Sequence, residues 1–452
     1  MRTRNVPGDE AEQVLVLCGT HDSDFEPLFL NSAFAIAMTD NKVFGNWQSL
    51  VRWMVTGLLL PVASLLADDE PDWPQWRGAS RTGIVAKELP IRDWPADGPT
   101  TLWTAEVGTG FSSIAVAKGR LITMGNVDEQ DVVWCLDART GKLIWKHSSP
   151  APLDPNLFEG GPTSTPTIAD DRVFVFGRRG EVRCLNVADG TLFWSVDVRQ
   201  KTDANLPSWG FSSSPLVVDD RVILNVGSAG LALDAKTGAV LWKSDNSDDA
   251  GYASPVLLMV ADRPHALIAS GKAVSAVEIA TGKATWSYRW ITRYGVNAAD
   301  PHVLKGHILL SSGYAKGASL LKLTEADPEE VWRSRTLRNQ MSPGVLIDGH
   351  LFAVDGDAGD ETSFVCLHVA SGEIRWSAPD LGSATVIAAG RQLLILTGTG
   401  ELVIASADAE KFQPVFRRQM LTGKCWTPAA LAAGNLYARN AAGQLVCWKV
   451  SK

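Results

Sequence analysis

Tryptophan recurs in this chain at a nearly fixed interval, and that interval restricts the fold more than any other feature. Trp145, Trp194, Trp242, Trp286, Trp332 and Trp376 are separated by 49, 48, 44, 46 and 44 residues. A period in the range of about 40–50 residues marks an array of stacked supersecondary units that cannot bury their apolar faces alone. Five of the six tryptophans close the same 11-residue segment: CLDARTGKLIW, CLNVADGTLFW, ALDAKTGAVLW, AVEIATGKATW and CLHVASGEIRW. Each has a small residue first, Gly at position 7 and Trp at position 11. A strand, a Gly-containing turn and a second strand carrying the large ring explain the pattern. Cys135, Cys184 and Cys366 stand where other copies have alanine, so they read as small core residues.

A second element sets the copy number. Tight turns between apolar runs occur at AKGRL (117–121), ADDRV (169–173), VDDRV (218–222), ADRPH (261–265), LKGHI (304–308), IDGHL (347–351), AAGRQ (388–392) and AAGNL (432–436), which makes eight. Upstream of most lies a proline, in STP, SSP, ASP, MSP or WTP. Proline tolerates only the start or an unpaired edge of a strand, so each unit reads as four strands from the Pro to just past the Trp. Phe416 replaces the Trp in the seventh unit, and TEADPEE replaces the Gly turn in the fifth. The eighth stops at LVCWKV, and TTLWTAEV (100–107), with Trp103 in the anchor position, supplies its missing outer strand. The expectation is an all-β, eight-bladed β-propeller over 101–452, closed by its N-terminal strand so that no sheet edge is left at the seam. Residues 68–100 form an extension packed on it.

The 11-residue segment resembles the tryptophan-docking motif of the pyrroloquinoline quinone (PQQ) repeat propellers, in which the ring stacks on the neighbouring blade. The resemblance implies docking roles for Trp103, Trp145, Trp194, Trp242, Trp286, Trp332 and Trp376. WPQWRGASRTG (73–83) is similar to the opening of PQQ-like repeat proteins common among exported bacterial sequences. That superfamily holds quinoprotein alcohol dehydrogenases, which bind PQQ and Ca²⁺ over the central channel, and non-catalytic scaffolds such as the outer-membrane assembly lipoprotein BamB. A shared fold does not choose between them. In the dehydrogenases two adjacent cysteines cap the quinone and Glu, Asn and Asp hold the cation. No adjacent cysteines occur here. Under the dehydrogenase reading Glu159, Asn297 and Asp300 are the oxygen ligands of Ca²⁺; otherwise they are solvated loop residues.

Chemistry elsewhere is sparse. There is no GxSxG, HExxH, P-loop or CxxC, and the seven histidines are scattered. Fifty acidic against 42 basic residues give a net charge of −8 with no basic run, which argues against a nucleic-acid partner. Residues 53–66, WMVTGLLLPVASLL, follow Lys42 and Arg52 and precede Ala67, the grammar of a signal peptide too short to remain as an anchor. Residues 1–67 are therefore a leader, with Met38 as an alternative start, and the mature chain is expected in the periplasm or outside the cell. No cysteine follows the apolar run, so no lipid anchor is indicated.

Ligands of a propeller must use the loops and the channel mouth. Glu159, Trp209, Asn297, Asp300 and Trp426 precede innermost strands of blades two, three, five and eight, where a central site would collect them. Trp209 and Trp426 lie outside the repeat position, so their rings either wall a pocket or plug the channel. Tyr252, Tyr294 and Arg338 share that ambiguity. Two carboxylates, an amide and two rings suit a planar or polyhydroxylated ligand, or a cation bridging to one, better than an apolar substrate. The leading expectation is an exported, non-catalytic propeller with a protein or envelope partner and no cofactor; the alternatives are a divergent PQQ-dependent alcohol dehydrogenase and a carbohydrate- or small-ligand-binding propeller.

Overall fold

The computed structural model describes residues 71–451 except 92, 93, 96, 157, 325 and 358–360. The leader, its apolar run and Met38 lie outside the described residues. Seven antiparallel sheets follow one another along the chain, through 115–150, 167–197, 216–243, 256–289, 302–334, 345–378 and 384–419. The eighth joins Ala430–Ala432, Asn435–Arg439 and Gln444–Lys449 to Thr100–Glu106, with Trp103 opposite Cys447. In each the first strand is short and innermost, and the chain reverses into the second through a tight turn. Lys118 and Gly119, or Asp348 and Gly349, both take positive φ there, as a type I′ hairpin requires.

Side chains alternate along the strands, and both faces of each sheet are covered by neighbouring blades. The buried residues accordingly form clusters that span adjacent sheets, such as Phe174, Cys184 and Trp194 with Val222 and Leu233. All five cysteines among the described residues are buried and unpaired. Burial pushes the thiols of Cys135, Cys366 and Cys447 up to about 12, so these are packing groups at neutral pH.

The repeated Gly and Trp prove to be one device. The Trp145 indole donates to Val187 O at 3.0 Å, Trp194 to Ala235 O at 3.1 Å and Trp242 to Ile279 O at 2.8 Å, each in the next blade. Trp103 likewise reaches Ala138 O at 3.1 Å, which joins the eighth blade to the first. Under each ring lies the position-7 glycine of the next blade: a Cβ on Gly190 would stand 2.6 Å from the Trp145 ring. Glycine is required there both by φ of +75° and by the ring. In the seventh blade Phe416 finds no such turn, because the eighth blade takes its outer strand from the N-terminus. Gly98, just before that strand, sits beneath Phe416 instead, and Trp94 packs edge-on at 5.4 Å.

The extension does more than pack on the outside. Trp73 pairs with Val116 of blade one, and Pro74 O accepts from Ile168 N of blade two. Arg81 donates to Ser214 O and Pro215 O of blade three, and Arg77 to Gly344 O at the start of blade six. Ile84–Val85 then adds a parallel fifth strand to the inner edge of blade seven. One segment of about a dozen residues thereby touches most of the ring from inside.

Candidate functional site

Two registers of the repeat build the centre of the molecule. The second residue before the innermost strand is Ser113, Thr165, Ser214, Ser254 and Asp300 in blades one to five. The first four donate from the backbone N–H to the side chain one blade on: Ser113 to Thr165 Oγ1 at 3.2 Å, Thr165 to Ser214 Oγ at 2.9 Å, Ser214 to Ser254 Oγ at 2.9 Å and Ser254 to Asp300 Oδ1 at 2.8 Å. This belt satisfies backbone donors that no sheet covers. Two residues earlier stand Phe111, Thr163, Ser212, Tyr252, Ala298, Met341 and Trp426, and all seven line one central cavity of about 380 Å³. The seventh blade alone contributes nothing in that register.

The floor of the cavity belongs to the extension. Trp76 lines it and donates from Nε1 to Asp300 Oδ2 at 2.6 Å. Asp300 is 5% exposed, and Arg77 and Arg81 are 7% and 8% exposed. Burial pushes the Asp300 carboxyl above its ordinary range, against the pull of Arg77, the Trp76 hydrogen bond and Arg81. Burial likewise lowers both arginines to about 10. Buried charges cost least when partnered: Asp300 accepts from Trp76 and Ser254, and Arg77 and Arg81 donate to backbone carbonyls, although Arg81 Nε is left without a partner. A smaller annex of about 120 Å³ adjoins the cavity and shares Trp76, Phe111 and Trp426 with it.

The mouth is aromatic. Trp209 and Tyr252 meet at 6.0 Å between centroids, Phe111 and Trp426 at 5.9 Å, and Phe111 and Phe158 at 5.8 Å. All are half-buried. Two cations are held over this wall: Lys424 lies 4.3 Å from the Trp426 centroid and Arg178 5.0 Å from that of Phe158. Each has a counter-ion, Glu159 at 2.8 Å from Lys424 and Asp154 at 3.2 Å from Arg178.

Of the five residues singled out from the sequence, Trp209, Asp300 and Trp426 line the cavity together. Glu159 does not face into it; it holds Lys424 against Trp426 at the rim. Asn297 is 2% exposed inside the wall, where Nδ2 donates to Ser270 O and Trp290 O and Oδ1 accepts from Ser312 Oγ. Its place one residue before Ala298 of the cavity-lining register turns it away from the cavity and towards blade four. Tyr252 lines the cavity, Tyr294 is exposed beside Tyr314, and Arg338 is engaged with Asp355 at 2.8 Å. The sequence reading missed Phe111, Phe158, Tyr314 and Trp76, although counting four back from each innermost strand finds the first.

The residues fit neither a Ca²⁺ ion nor PQQ. Asp300 already accepts on both oxygens, Glu159 is paired at the rim and Asn297 is consumed in the wall, so no three oxygens converge. No group of three or more His, Cys, Asp or Glu among the described residues is placed to hold a metal. PQQ is planar but carries three carboxylates, and the lining of the larger cavity contains no Lys or Arg among the described residues.

Comparison with known proteins follows the fold. The family model described as outer membrane protein assembly factor BamB matches residues 93–206 and 129–378. No curated protein matches the sequence. Among solved structures, BamB from Moraxella catarrhalis is similar at 17% identity and a TM-score of 0.55, covering 77% of this chain and 97% of that one. Quinohemoprotein alcohol dehydrogenase from Comamonas testosteroni is similar at 13% identity and a TM-score of 0.61, covering 84% and 81%. A europium-containing methanol dehydrogenase gives 13% and 0.58, covering 81% and 89%. At such identities the likeness extends to the fold alone.

Proposed function

We propose, for a chain that belongs to the PQQ-like repeat propellers of the BamB family, that it is an exported, non-catalytic binding scaffold of the cell envelope. The observation that carries this reading is the closure of the channel floor by the protein's own segment, in which Trp76 bonds to Asp300 and Arg77 and Arg81 bond to the carbonyls of Gly344, Ser214 and Pro215. The carboxylate best placed for cation or proton chemistry at the axis is spent on holding that segment. What stays available is a one-sided aromatic mouth with loops around it, a surface for recognition. The family description of an assembly factor supports a protein partner. Among the described residues no helix is long and apolar enough to cross a membrane, and the apolar run at 53–66 supports export by cleavage.

Purified protein incubated with PQQ and Ca²⁺ and then desalted is expected to retain no quinone absorbance and to reduce no dye with primary alcohols. Retained quinone with alcohol-dependent dye reduction would overturn the reading. Cell fractionation with N-terminal sequencing addresses export: the chain is expected in the envelope fraction, beginning after about residue 67.

A further inference from the structure

We infer that the mouth cavity binds a neutral saccharide, with sugar rings laid against Trp209 and Tyr252 on one wall and Trp426 and Phe111 on the other. The inference rests on the non-catalytic reading above and names the ligand class of the same site. At about 380 Å³ the cavity is within the range of small-ligand sites. Its two ring pairs come from opposite arcs of the propeller, blades three and four against blades eight and one. A pyranose has an apolar C–H face that packs on an aromatic ring and a rim of hydroxyl groups that need in-plane partners.

Partners of that kind stand between the rings. Thr163 and Ser212 bond to the carbonyls of Phe211 and Tyr252 at 3.4 and 3.3 Å, long contacts that a ligand oxygen can replace. Each hydroxyl also keeps acceptor capacity. Gln340 and Tyr314 add an amide and a phenol, joined at 2.9 Å. A purely apolar ligand would strip these groups of water without replacing its hydrogen bonds, which is unfavourable.

Charge narrows the class further. In the larger cavity an anionic ligand meets no Lys or Arg among the described residues and Asp300 repels it, while Arg77 in the annex is engaged with Thr82 O and Gly344 O. Among charged side chains of the lining an ammonium ligand meets only Asp300, whose oxygens already accept from Trp76 and Ser254, and the faces of Trp426 and Phe158 already carry Lys424 and Arg178. At the rim, Lys424 and Arg178 are balanced by Glu159 and Asp154. The ligand that leaves no charge and no hydroxyl unanswered is uncharged and polyhydroxylated.

The test is calorimetric and fluorescence titration of the full chain with maltotriose, cellotriose and chitotriose, and with choline and PQQ as charged probes. At least one trisaccharide is expected to bind in the millimolar range or tighter and to change tryptophan emission. Trp209→Ala and Trp426→Ala should weaken it tenfold or more, Trp209→Phe less, and Ser212→Ala a few-fold, with unfolding midpoints recorded to show that each variant is folded. No binding by any trisaccharide, binding indifferent to both tryptophans, or preference for choline overturns the inference. If the sugars and PQQ both fail to bind, the saccharide assignment falls and the scaffold reading stands. Retention of PQQ with dye reduction removes both.

Discussion

His302 follows the buried charge cluster by two residues and shows what the cluster does to a neighbour. Burial, reinforced by the Arg77 guanidinium, lowers its imidazole to about 3, and Nε2 lies 2.6 Å from Pro343 O. The folded protein therefore keeps it neutral where an unfolded chain, near 6.5, takes up a proton. Stability from this group is complete above pH 6.5 and is lost as pH falls towards 3, by at most about 1.4 kcal/mol per pH unit. Asp300 works in the opposite sense, since its raised carboxyl binds a proton in the folded state first. Comparing urea unfolding of the wild type and His302→Gln separates the two: the variant should lose less stability between pH 6.5 and about 4.5. Equal losses would show that His302 is not held neutral. The sequence left Asp300 open between a ligand-facing group and a solvated loop residue, because a carboxylate before a strand looks the same whether it faces a ligand or the indole of a distant segment.

Within the blade, the Gly-Trp pair is the element that converts eight sheets into a ring. Gly190 and Gly119 have nearly equal backbones, φ +75° and +74°, yet a Cβ on Gly190 meets the Trp145 ring at 2.6 Å while one on Gly119 meets nothing within 4 Å. Gly119→Ala should cost only the left-handed backbone, about 1 kcal/mol. Gly190→Ala should cost more by a further 1–3 kcal/mol of overpacking. Denaturation midpoints measure the difference, and equal losses would mean that the ring yields freely. Trp194→Ala, which empties a site only 8% exposed, should cost about 3–5 kcal/mol, and Trp209→Ala at the mouth clearly less. These constraints explain why the segment was legible. The same two residue types are demanded in nearly every copy, once by a turn and once by the next blade's ring.

At the scale of the whole molecule, closure depends on the eighth blade holding the first. Arg439, fully buried, carries its guanidinium across the seam to Gly108 O at 2.7 Å and to Met124 O. Burial lowers it to about 10, so it is charged at neutral pH and answered by backbone carbonyls and the Thr123 hydroxyl. Arg439→Leu should cost about 3 kcal/mol through the acceptors it leaves bare. Amide exchange should then quicken first in Thr100–Glu106 and Gln444–Lys449, whereas uniform quickening across all blades would argue that the seam is no weaker than the rest. Sequence alone determined the eight copies, the four strands of each and the shared outer strand, because all of these follow from local periodicity and turn chemistry repeated many times over. It marked Trp209 and Trp426, which break the repeat, as rings at the channel mouth, and left open whether they wall a pocket or plug the channel. Only the tertiary structure decided that WPQWRGASRTG enters the channel, that Asp300 is its tie, that Glu159 serves Lys424 and that Asn297 lies in the wall. The first three depend on residues that meet across some 130 to 270 positions of chain, a separation over which no single-copy segment carries a period to be read, and the last on one residue's offset from the cavity-lining register.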